Sequence, residues 1–69
     1  MASAAMRLRG ILVSTRSALT THPEDAADIV RRARHLLDEL EVDVIRDGTE
    51  EALLEDIAAA RVQLRRAGV

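Results

Sequence analysis

Between Ala26 and Val44, the residues Ala26, Val30, Ala33, Leu37, Leu40 and Val44 recur at alternating intervals of four and three. That spacing gathers side chains onto one stripe of an α-helix. Ile29 and Leu36 sit beside the stripe and widen it beyond a narrow coiled-coil seam. A helix with so broad an apolar face needs partners, which commits the chain to helix-on-helix packing.

The flanking segments supply those partners. From Ser3 to Thr20, the residues Ala5, Leu8, Leu12, Thr15 and Leu19 keep helical spacing, flanked by Ile11 and Ala18. Ser3 is a natural N-cap. Gly10 costs about 1 kcal/mol relative to Ala inside a helix, and Val13, Ser14 and Thr15 are weak helix formers. This first helix, approximately residues 3–20, is therefore expected to be the weakest: frayed, kinked near Gly10, or ordered only on docking.

Pro23 breaks the pattern. It disfavours helix at the residue before it but fits a first helical turn. Thr21 with Glu24 has the form of a capping box, and His22 with Asp25 offers a cap one residue later. Glu24, Asp25 and Asp28 put negative charge at the positive end of the helix dipole. The second helix is thus expected over residues 22–46, ending at Asp47-Gly48, where Gly48 can turn left-handed.

One segment conflicts with this reading. Glu41-Val42-Asp43-Val44-Ile45 alternates polar and β-branched residues as a strand does. A lone five-residue strand has nothing to pair with, so helix is expected here too, leaving Val42 and Ile45 off the main stripe. The third helix, residues 49–67, begins at a Thr49 cap with Glu50 and Glu51 following and Arg65 and Arg66 near its end. Leu53, Ile57, Ala60, Leu64 and Ala67 form its stripe, with Leu54, Ala58 and Val62 beside it and Gly68 as terminator. The short connection implies an antiparallel hairpin. The expectation is one all-α domain over residues 1–69: a three-helix bundle or a helical dimer.

Composition makes association attractive. A chain of 69 residues buries only about 60% of its unfolded surface. It has no Cys for disulfides or thiolate metal sites, no Phe, Tyr or Trp, and twelve Ala among its apolar residues. The core must come from Leu, Ile and Val, whose burial roughly cancels the ordering cost. Self-association or a larger protein partner would add what is missing. The expected interface residues are Ile29, Leu36, Leu40, Ile57 and Leu64, with Val42 and Ile45 as a second patch.

The net charge of −2 sets no broad preference, but its distribution is uneven. Before Pro23 the only formally charged side chains are Arg7, Arg9 and Arg16, and all twelve acids lie between Glu24 and Asp56. All ten cations are Arg, a usage that suits a GC-rich genome as well as bidentate anion contacts. No apolar run approaches the roughly 20 residues that span a bilayer. A cytoplasmic protein is expected. The acid-free, amphipathic residues 1–22 offer organellar import as the lesser alternative.

No constellation for catalysis stands out. His22 and His35 lack further His or Cys in register for a metal, and nothing resembles a calcium loop. Ser3, Ser14 and Ser17 have no nearby base, and no phosphate-binding loop or nucleophile elbow occurs. The run Asp38-Glu39-Glu41-Asp43 splays over more than one helix face, and Asp38 and Glu41 are expected to form a solvated side. No catalytic residue, metal or cofactor is expected. Arg31, Arg32 and Arg34 are the candidate anion contact, although Arg31 with Asp28 and Arg34 with Asp38 have ion-pair spacing.

The function expected is a non-enzymatic helical interaction module: an adaptor, assembly factor or small chaperone. A small DNA-binding, antitoxin-like regulator using the Arg clusters is the alternative, disfavoured by the flanking acids and, for single strands, by the lack of stacking aromatics. The chain resembles chorismate mutases only in its short helices and Arg abundance. An enzyme of that type would bind a dicarboxylate in an Arg-lined pocket, but this chain has no Lys and no long first helix carrying inward cations. Its hairpin is similar to many short helical partner proteins of bacteria in shape alone.

Overall fold

Ser3 opens the first helix as its sequence position predicts. Its backbone is extended, and its side-chain oxygen accepts from the Met6 N–H at 3.2 Å. The computed structural model describes residues 3–48 and 51–67. They form α1 (Ala4–Thr21), a 3-10 turn (Pro23–Asp25), α2 (Ala26–Asp47) and α3 (Glu51–Ala67). No strand occurs among the described residues, and the strand-like Glu41–Ile45 segment is the last part of α2. The all-α, three-helix expectation holds. Among the described residues, no helix is long and apolar enough to cross a membrane.

α1 is continuous through Gly10. No capping box forms at its end. Thr21 remains in the last turn of α1, where its hydroxyl donates to the Ser17 carbonyl at 2.9 Å. That bond to the carbonyl four residues back takes the side chain away from the helix it was expected to cap. The His22 N–H donates to Ala18 O at 2.8 Å, and the His22 carbonyl accepts from the Asp25 N–H at 3.0 Å to close the 3-10 turn. Pro23 occupies the first position of that turn, where no N–H is needed. Asp25 precedes α2 without a side-chain capping bond, so the cap expected from His22 and Asp25 is not made either. The second helix starts with Glu24, Asp25 and Asp28 still clustered at its positive end.

Gly48 ends α2 in the left-handed region, φ 67°, and donates its N–H to Val44 O at 3.0 Å. This is the role expected of glycine after a helix. The caps assigned to Thr49 and Gly68, and the place of Glu50, lie outside the described residues.

α2 is the central element: α1 and α3 each pack extensively on it and touch one another only sparsely. The α2 stripe Val30, Ala33, Leu37, Leu40 and Val44 is buried against Leu53, Ile57, Ala60 and Leu64 of α3 and Leu8 of α1. Ala4, Ile11, Leu12, Leu19 and Leu54 pack around this core half-buried. Thr15 is also buried, and its hydroxyl donates to Ile11 O at 2.6 Å within its own helix. The bundle is thus a triangle of helices, open along its α1–α3 side.

Candidate interaction surface

The residues expected to form an interface separate into three places. Leu40, Ile57 and Leu64 belong to the protein's own core, at 0%, 0% and 4% exposure. Within one copy they face other helices of the same chain and are covered by them. The four-and-three spacing makes them face another helix, and that helix is in the same chain. One copy therefore assembles a continuous core, and any association uses what remains outside it.

Leu36 does remain outside, 37% exposed, with Ile29 half-buried near it. Both line a groove of about 470 Å³ between α1 and α2, facing Gly10, Ile11 and Ala18. Gly10 and Ser14 build the α1 wall from minimal side chains, and Thr15 and Ala33 contribute to the apolar lining. Arg32 is the one charged residue along it.

Val42 and Ile45 are exposed by 52% and 61%. They do not extend the groove. Ile45 lies nine residues beyond Leu36, about two and a half helical turns, and so projects from the opposite side of α2.

The arginine cluster also divides. Arg31 donates to Asp28 at 3.1 Å, as its spacing predicts. Arg31 and Arg34 line a cleft of about 450 Å³ with His35 and Asp38, whereas Arg32 faces the apolar groove. The three do not converge on one anion. His35 instead pairs with Glu39 one turn on, at 3.0 Å.

The expected Arg34–Asp38 pair is replaced by a tertiary one. Arg61 of α3 donates to Asp38 at 2.7 Å and to Glu41 at 2.6 Å, bracing α3 against α2. The hydrogen bond to Glu41, then that to Asp38, raises the Arg61 pKa above its ordinary value, against a smaller desolvation effect. On the other flank of α2, Arg7 donates to Asp43 at 2.9 Å and fastens α1. Residue spacing along one helix cannot disclose either brace. The available signal was the pair of acids three apart on α2, opposite an Arg adjoining the core residue Ala60.

Among the described residues, the side chains placed to share a cation are His22, Glu24 and Asp25, all exposed on the turn entering α2. His22 Nδ1 and Glu24 Oε1 lie 3.4 Å apart. Among the described residues, no buried side-chain nitrogen or oxygen lacks a hydrogen-bond partner. Compared with protein-family models, curated proteins and solved structures, the chain has no significant match in any of the three.

Proposed function

We propose that this protein is a non-enzymatic helical interaction module that binds another protein surface, a second copy included, through the groove between α1 and α2. The observation that carries this reading is the pairing of Leu36, 37% exposed, with Ile29, Ile11 and Ala18 around an apolar groove of about 470 Å³. A solvated helix face has no use for that row, and burying one such side chain fully is worth about 1.5–3 kcal/mol.

Gly10 supports the same surface. A Cβ added there meets nothing within 4 Å, so the fold itself has no need of glycine at this point in α1. Its absent side chain lets an incoming backbone approach the groove wall closely. The Arg-based reading has less support, because Arg31 and Arg61 are engaged with carboxylates of the same chain.

Sedimentation velocity of the purified chain, with Leu36→Glu and Ile29→Glu variants alongside, tests the self-association form. Chemical cross-linking in cells, with the same variants as controls, tests the form with a different protein. A chain monomeric at all accessible concentrations, whose cross-linked partners are unaffected by either variant, would refute the reading.

A further inference from the structure

The second groove of the bundle lies on the other side of α1, where α1 and α3 barely meet. Leu8, Leu12 and Ala60 line a recess of about 370 Å³, and Leu12 continues into an adjoining recess of about 210 Å³ with Leu19 and Leu64. Together they form an apolar seam along the open edge of the triangle. Its α1 wall carries Arg9 and Arg16, and its α3 wall carries Asp56, Ala59 and Gln63.

The two arginines are seven residues apart, two turns of helix, so they project from one side about 10.5 Å apart along the axis. Neither forms an ion pair with a described residue. α1 contains no acid to neutralise them. Met6 and Val13, exposed by 66% and 60%, fall on the same outward stripe, giving Met6, Arg9, Val13 and Arg16 at intervals of three, four and three. The stripe thus sets apolar surface beside two cations along the mouth of the seam. Opposite, Ala59 is short enough to admit a helix backbone.

We propose that the α1–α3 seam receives an amphipathic helix of another protein, apolar on the face entering the groove and carrying carboxylates seven residues apart to meet Arg9 and Arg16. A second copy of this chain fits poorly. In none of its described helices do two acids stand seven residues apart, so none of them matches the spacing of the two arginines. An anionic membrane or nucleic acid also fits poorly. Asp56 stands at the same mouth, the binding surface is a recess between two helices, and the net charge is −2. This seam uses the opposite side of α1 from the α1–α2 groove, so the proposal stands independently of that groove's occupant.

The test uses the full chain and a fluorescein-labelled synthetic helix of about 18 residues, the length of α1. The peptide carries Leu at three-and-four spacing with Glu on its flank every seventh residue, and matched peptides carry Gln or Arg in place of Glu. The Glu peptide is expected to bind at least about tenfold more tightly than the Gln peptide, shifting the amide resonances of α1 and α3 along the seam. A variant with Arg9→Glu and Arg16→Glu, both exposed positions, should reverse the order so that the Arg peptide binds best. Ala59→Leu, which changes no charge, should weaken the Glu peptide by filling the α3 wall. Equal binding of all three peptides, shifts confined to other surfaces, or no binding would overturn the proposal. So would Arg9- and Arg16-dependent self-association, or cosedimentation with phosphatidylserine vesicles lost in the double variant.

Discussion

Arg61 Nη1 lies 2.6 Å from Glu41 Oε2, joining helices α3 and α2 across 20 residues of sequence. The same guanidinium reaches Asp38 through its other nitrogen at 2.7 Å. One arginine thus holds two carboxylates three residues apart on α2. Its side chain keeps 28% of its surface exposed, so the contribution is smaller than that of a buried pair.

Arg61→Met should therefore destabilise the fold by about 1–2 kcal/mol, from lost charge-assisted bonds partly offset by the retained apolar stem. In a domain this small, that corresponds to a fall in Tm of roughly 4–16 °C. The pH dependence has a definite sign. Because the folded-state pKa of Arg61 is raised, its stabilisation is complete below the unfolded-state value and is lost only as pH rises through the folded-state one. The difference in Tm between wild type and Arg61→Met should stay constant from about pH 7 to about pH 10. A difference that vanishes within that range would contradict the assigned brace.

The two described glycines predict opposite outcomes. Gly48 adopts φ 67°, a conformation that L side chains rarely take, so Gly48→Ala should cost about 1 kcal/mol although the surrounding space is open. Gly10 lies inside a regular helix with open space at its missing Cβ, so Gly10→Ala should stabilise the isolated chain by about 1 kcal/mol. Urea unfolding of the two variants measures both signs in one experiment. If the α1–α2 groove binds a partner, the stabilised Gly10→Ala chain should bind it more weakly.

Thr15 is a polar residue among core neighbours, and its hydroxyl is satisfied entirely by the Ile11 carbonyl. The helix already bonds that carbonyl through its backbone, so deleting the hydroxyl strands nothing. Thr15→Val should be neutral or stabilising by up to about 1 kcal/mol by thermal unfolding. A loss greater than about 1 kcal/mol would mean the hydroxyl serves a second partner.

The core stripes are legible in the sequence because period and burial express the same geometry. Val30, Ala33, Leu37, Leu40 and Val44 of α2, with Leu53, Ile57, Ala60 and Leu64 of α3, are all buried as their spacing requires. What the spacing could not state is whose surface they face. Leu40, Ile57 and Leu64 look alike whether the opposing helix belongs to this chain or another, and the docking of α1 and α3 on α2 decides it. The braces Arg61–Asp38 and Arg7–Asp43 are illegible for a related reason: they join residues 23 and 36 positions apart, beyond any intrahelical rule. The capping box fails because Thr21 still belongs to the last turn of α1, its hydroxyl donating to Ser17 O, and so lacks the non-helical backbone of an N-cap.

Leu36 separates the demands of folding from those of association. It is 37% exposed, whereas Leu37, its neighbour in sequence, is fully buried. Leu37→Ala removes core volume and should cost about 2–5 kcal/mol, enough to unfold much of so small a domain. Leu36→Glu places a charge at the rim of the α1–α2 groove and, because water still reaches it, should change stability by less than about 1 kcal/mol. It should nonetheless abolish association through that groove, since an unpaired carboxylate would be carried into an apolar contact. Circular dichroism melts with sedimentation velocity or partner cross-linking read the two effects separately. Folding preserved with association lost identifies Leu36 as a surface built for contact. Association that survives Leu36→Glu would move the contact to another face of the bundle.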